Sequence, residues 1–101
     1  MLTHIWSMNF TDATTPAQRD AFIIAMSELP DRISGVASFR SGTDLGLNPG
    51  NYDVAIVATF ADADAWKTYI EAPAHVSFVD DHVTPLCASW GAIQFESAAT
   101  A

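Results

Sequence analysis

The stretch from Tyr52 to Phe60 is almost continuously apolar, with Val54-Ala55-Ile56-Val57-Ala58 at its centre. A strand with one wet face alternates polar and apolar residues, whereas an unbroken run reads as a strand buried on both faces. At 101 residues the chain makes one domain around one core. The sheet holding this strand therefore needs a cover on each side, and the chain has helix patterns enough for only one. A second copy of the same sheet, related by a twofold axis, would supply the other.

The remaining elements follow from periodicity and punctuation. Leu2 to Phe10 alternates, with Leu2, His4, Trp6, Met8 and Phe10 on one face and Thr3, Ser7 and Asn9 on the other, which predicts a half-buried strand. Thr15-Pro16 opens a helix: threonine at the cap, proline at the first helical position, and Gln18 placed to complete a capping box. Phe22, Ala25, Met26 and Leu29 form its apolar stripe, and Pro30 is expected to stop it. Ile33 to Ser41 reads as a second strand, with Gly35 marking a bend or bulge. Gly42 to Asn51, with three glycines, a proline and two asparagines, reads as a loop that gates a site or meets a partner subunit. Asp62 and Asp64 cap and charge a second helix in which Trp66, Tyr69 and Ile70 share a face. Pro73 breaks that helix; a short one follows to His82, carrying His75, Phe78, Val79 and His82 on one stripe, and Pro85 closes it. Cys87 to Glu96 alternates around Trp90 as a last strand, with Ile93 and Phe95 on its other face. The order strand, helix, strand, strand, helix, strand predicts an α+β, ferredoxin-like βαββαβ fold: a four-stranded antiparallel sheet with both helices on one face. The domain is expected over residues 1–97, with 98–101 as a frayed tail.

Composition narrows the partners. Half the residues are hydrophobic and 16% are charged, a lean surface for so small a chain and a further argument for association. The formal net charge is −8, and Arg19, Arg32, Arg40 and Lys67 are the only strong cations, so phosphate backbones and anionic headgroups would be repelled. Neither a nucleic-acid nor a membrane partner is expected. Cys87 stands alone, which rules out an internal disulfide and suits a reducing cytoplasm. Met1 to Trp6 has neither the basic start nor the long apolar run of a signal peptide, and no segment reaches membrane-spanning length, so a cytoplasmic location is expected.

The chemistry-bearing residues gather around Tyr69-Ile70-Glu71-Ala72-Pro73-Ala74-His75, where the helix break can aim a phenol and an imidazole at one cavity. In one reading neutral His75 removes a proton beside a carbonyl while Tyr69 donates a hydrogen bond to the oxygen as it becomes an enolate. In the other, His75 buttresses the helix break and Tyr69 is a core residue with a satisfied hydroxyl. His4 is the one polar group on an apolar strand face, either a hydrogen-bonded structural histidine or a pocket residue. Trp6, Trp66 and Phe78 are the candidates for lining a pocket for a small hydrophobic or aromatic ligand, and core packing is the competing role for each. His82 follows His75 by seven residues, two helical turns, which is too far for one metal ion. Neither a metal nor a cofactor is expected. The glycine-rich loop does not precede a helix, which disfavours a phosphate cradle, and Cys87 is expected as a buried, inert thiol.

In this order the residues resemble the stress-responsive A/B-barrel domain (Dabb) family of the dimeric α+β barrel group. The resemblance rests on His4, Gly42-Thr43-Asp44-Leu45-Gly46-Leu47, Asn51-Tyr52-Asp53, Thr59-Phe60, and Tyr69 with Pro73-Ala74-His75. It implies a homodimer whose sheets form a barrel, with a cavity between each sheet and its helices. Plant members that close linear polyketides by aldol chemistry carry a Tyr-x5-His pair matched by Tyr69 and His75, and a pocket histidine matched by His4. The chain departs from the family at Ala72, often a histidine, and at Val54, where the cyclising members have a further pocket histidine. The resemblance thus implies a small-molecule-binding homodimer with cofactor-free, polyketide-cyclase-like or lyase-type acid–base chemistry. Two alternatives stand beside it: a non-catalytic, stress-associated structural oligomer, and a cofactor-free aromatic monooxygenase.

Overall fold

A computed structural model describes residues 1–97 as strand β1 (Leu2–Phe10), helix α1 (Pro16–Arg32), strands β2 (Ser38–Thr43) and β3 (Val54–Phe60), helix α2 (Ala63–Glu71), helix α3 (Pro73–Phe78), a π turn (Val79–Val83), the short helix α4 (Thr84–Leu86) and strand β4 (Cys87–Glu96). The strands form one antiparallel sheet in the order β2-β3-β1-β4, the ferredoxin-like arrangement. The tail expected at 98–101 lies outside the described residues. None of the described helices is long and apolar enough to cross a membrane.

Helix α1 starts where the capping box places it: Thr15 Oγ1 accepts from the Gln18 N–H at 3.2 Å, and Gln18 Oε1 accepts from the Thr15 N–H at 2.8 Å. It does not end at Pro30, which lies inside the helix. Proline in the last turn removes only one backbone bond, and the Arg32–Glu28 ion pair at 2.8 Å spans the same turn. Phe22, Met26 and Leu29 are buried along the stripe. Phe22 joins the layers, its ring 5.1 Å from Phe10 of β1 and 5.2 Å from Phe78 of α3.

Three further boundaries differ from the sequence expectation. The second strand begins at Ser38, not Ile33, because Gly35 adopts φ 88° in the turn that follows α1, a left-handed conformation that ends the helical run without continuing as a strand. Its far end takes in Gly42 and Thr43, which pair with Ala55 and Val54, so the loop shortens; Asp44 N–H bonds the Asp53 carbonyl at 2.9 Å and closes it. The helical path after Pro73 passes His82 and Pro85 and runs to Leu86. Thr84 N–H bonds Val79 O, five residues back, and this wider turn inserts one residue, after which Pro85 sits in the first turn of α4.

The apolar run of β3 alternates in burial. Val54, Ile56, Ala58 and Phe60 are sealed under the helices, while Ala55, Val57 and Thr59 are only half-buried on the opposite face of the single chain. In register beside Val57 on that face lie Ile5 and then Ile93, the latter 56% exposed. One chain thus covers one side of its sheet and leaves an apolar strip on the other.

Candidate functional site

The break between α2 and α3 is built by local chemistry. Asp62 accepts from the Ala65 N–H at 2.9 Å and starts α2, which brings Tyr69 onto the sheet at 1% exposure. Ala72, ahead of Pro73, is extended at φ −61°, ψ 138°, as a pre-proline residue prefers, and its N–H closes on Tyr69 O at 3.2 Å. The chain restarts at Pro73, so His75 falls in the first turn of α3 with its ring centroid 4.8 Å from that of Tyr69, inclined at 60°.

Both rings border a cavity of about 620 Å³ between the inner face of the sheet and the segment from α2 to α4. His4, Trp6, Trp66 and Phe78, the other four candidates from the sequence, border it too. So do Trp90 and Gln94 of β4, the latter unforeseen because a glutamine on an edge strand looks like a solvent-facing residue. The signal for it lies in the register, which sets Gln94 directly opposite His4. Trp90 is 62% exposed and marks where the cavity meets solvent. Among the described residues no Asp, Glu, Lys or Arg lines this space.

The polar groups at the cavity divide into paired and unpaired. His4 is 5% exposed, and its Nδ1 lies 3.3 Å from the Trp66 indole nitrogen and 2.9 Å from Gln94 Nε2. The Tyr69 hydroxyl has no side-chain or backbone partner among the described residues, yet no described side-chain nitrogen or oxygen is both sealed and unpartnered. The hydroxyl therefore opens on the cavity. Burial pushes the Tyr69 phenol up to about 12, so it remains an O–H donor at neutral pH. Burial also holds His75 below the ordinary imidazole value, partly opposed by the Ile70 backbone, and holds His4 below it with a smaller push from His75. The arrangement presents a neutral phenol and a neutral imidazole side by side in an uncharged, mostly apolar space.

Other expectations shift. The inserted residue of the π turn takes His82 off the stripe of His75: Val79, Val83 and Thr84 continue the cavity wall, while His82 faces the groove between α1 and α3. Cys87 is half-buried and borders the cavity, not sealed in the core, and burial raises its thiol pKa. No residue of the loop from Gly42 to Asn51 lines the cavity, so it does not gate this site. Among the described residues no three His, Cys, Asp or Glu side chains gather closely enough to hold a metal ion.

The sequence model of the stress responsive A/B barrel domain family, Dabb, matches residues 2–97. A dimeric ferredoxin-like protein of unknown function from Thermobifida fusca is 35% identical over 93% of this chain and 88% of its own, with a TM-score of 0.85. A Dabb family protein from Mesorhizobium loti is 22% identical over 96% of each chain, with a TM-score of 0.82. The hydroxynitrile lyase of Passiflora edulis is 18% identical over 98% of this chain and 94% of its own, with a TM-score of 0.84, a likeness of fold. No curated protein matches the sequence significantly.

Proposed function

The chain belongs to the stress responsive A/B barrel domain family, and on that premise we propose that it is a homodimeric small-molecule-binding protein performing cofactor-free acid–base chemistry on a neutral carbonyl compound. The observation that carries the proposal is the Tyr69–His75 pair, ring centroids 4.8 Å apart, at the wall of a cavity of about 620 Å³ lined by no charged side chain among the described residues. Neutral His75 takes a proton from the carbon beside the carbonyl, and the Tyr69 hydroxyl donates to the oxygen as negative charge moves onto it. The mostly apolar lining lowers the local dielectric and strengthens both interactions. Attack of that carbanion on an internal carbonyl carbon would form the new C–C bond of an aldol cyclisation, the proton held by His75 returning to the resulting alkoxide; the reverse, with that bond broken, would be a lyase reaction. A hydroxynitrile lyase of the same fold favours this reaction class over oxygen chemistry. A cavity of this size, with an unpartnered phenol on it, argues against a purely structural oligomer.

The homodimer is supported by the half-covered apolar strip of Ile5, Val57 and Ile93 and by the dimeric relative from Thermobifida fusca. A cytoplasmic site of action is proposed from the single unpaired cysteine.

Exchange of the benzylic protons of 1-phenylpropan-2-one for deuterium, followed by NMR, tests the chemistry. The wild-type protein should accelerate exchange, and Tyr69→Phe and His75→Ala should each abolish most of the acceleration while the fold persists. No acceleration by the wild type, or full acceleration in both variants, rejects the assignment.

A further inference from the structure

We propose that Trp66 and Gln94 lock His4 in its Nε2–H tautomer, making His4 a second fixed hydrogen-bond donor to the cavity, where a neutral aryl ketone would place one carbonyl oxygen between it and Tyr69. The argument begins with the indole, whose N–H can only donate. It lies 3.3 Å from His4 Nδ1, so that nitrogen is the acceptor and carries no proton. Gln94 Nε2, 2.9 Å from the same atom, donates as well. A neutral imidazole that accepts at Nδ1 holds its proton at Nε2. Protonating Nδ1 would set an N–H against two others, so the contacts that choose the tautomer also oppose the charged ring.

Nε2 has no partner among the described residues, and no described side-chain nitrogen is both sealed and unpartnered, so the N–H opens on the cavity that His4 borders. The titratable groups beside it on that cavity are Tyr69 of α2, His75 of α3 and Cys87 of β4; none of them is a carboxylate or a permanent cation that would pull the proton to Nδ1. Burial and the neighbouring His75 both lower the His4 pKa, in keeping with a ring that stays neutral. The division of labour is then two donors, Tyr69 and His4, and one acceptor, His75. A ketone oxygen has two lone pairs and can take both donors, while an anionic ligand would enter a space without a cation. Trp66 and Gln94 act here as positioning residues. The use of the donor rests on the acid–base reading above; the tautomer does not.

Protein labelled with ¹⁵N-histidine, observed through long-range ¹H–¹⁵N correlations between pH 6 and 8, reads each ring nitrogen of His4 directly. The expected result is a protonated Nε2 and a bare Nδ1 throughout, with Trp66→Phe and, as a second and milder variant, Gln94→Leu each introducing the other tautomer or the charged ring. Addition of 1-phenylpropan-2-one should shift the His4 Nε2 resonance, and His4→Phe should weaken its binding about tenfold, the size of one lost hydrogen bond. A His4 protonated at Nδ1, or charged at pH 7, overturns the lock. A locked tautomer whose Nε2 ignores the bound ketone overturns the donor role. Failure of wild-type deuterium exchange would instead reject the acid–base reading and leave the tautomer measurement standing.

Discussion

The Tyr69 and His75 rings meet at 4.8 Å across the bend that Ala72 and Pro73 impose, edge inclined to face at 60°. Six residues of sequence separation on one straight helix would place them on different faces, since the helix repeats every 3.6 residues. The break, and not helical periodicity, is what makes them a pair.

Their opposite pKa shifts predict the pH dependence of any exchange they catalyse. His75 must be neutral to act, so the rate rises with pH and levels off; because burial lowers its pKa, the midpoint falls below the ordinary 6.5. Tyr69 must keep its proton, and does so until about pH 12. The profile should therefore be a single acid limb followed by a plateau through neutral and mildly alkaline pH. Tyr69→Phe should lower the plateau by about 10²–10³ while keeping the limb; His75→Ala should lose about 10²–10⁴ and the limb with it. A midpoint above 7, or a limb that survives His75→Ala, would assign the base elsewhere.

The half-covered face of the sheet makes a separate prediction about assembly. Ile5 sits in register between Val57 and Ile93, so a carboxylate in place of Ile93 lies within this apolar row, at its exposed end on the edge strand β4. Twofold pairing of this face would bury that carboxylate against the partner's apolar strip. Ile93→Asp should shift sedimentation from dimer to monomer at micromolar concentration, and the far-ultraviolet spectrum should keep its helical component. A wild-type chain that sediments as a monomer, or an Ile93→Asp chain that remains fully dimeric, would remove this face from the assembly.

Phe22 carries much of the connection between helix and sheet. It is fully buried, lies 5.1 Å from Phe10 and 5.2 Å from Phe78, and stacks at 6.5 Å on Trp6 at the cavity's edge. Phe22→Ala should cost about 3–5 kcal/mol in urea unfolding. Because Phe78 also borders the cavity, the variant should loosen ligand binding even where the fold survives. A loss under 1 kcal/mol would mean that the neighbours collapse into the space.

How far these features could be read in the sequence depends on how local their causes are. Thr15, Pro16 and Gln18 set the start of α1 by contacts within three residues, and β1 and β4 have the bounds that their alternation implies. The bounds of the second strand are not legible in the residues, because Ser38–Thr43 lies on a sheet edge with only Phe39 half-buried, leaving almost no apolar pattern to mark it. Pro30 is a stop signal by residue type, yet α1 runs past it, since a proline this late in a helix forfeits a single bond. At the site, Tyr69 and His75 were legible because the break between them is local. The pairing of Trp66 and Gln94 with His4 spans 62 and 90 residues, and only strand register and helix docking bring them together. The π turn left no mark in residue type, and it alone carries His82 away from the cavity.

The buried imidazole of His4 and the half-buried one of His75 also link stability to pH. An unfolded histidine protonates near 6.5, whereas His4 and His75 are held below that value in the folded chain. Between the folded and unfolded values the unfolded state binds more protons, so stability is fully present above about pH 6.5 and is lost as pH falls through the folded values. The loss is sharpened because His75 itself lowers His4: protonating both would set two like charges on one cavity lined by no carboxylate among the described residues. The melting temperature of the wild type should therefore fall between pH 7.5 and 5.5, above the range where ordinary carboxylates titrate. A chain carrying both His4→Gln and His75→Gln should show a much smaller fall over the same interval, whatever its absolute melting temperature. Equal falls in the two proteins would place the sensitivity outside the cavity and mean that its imidazoles carry no linkage.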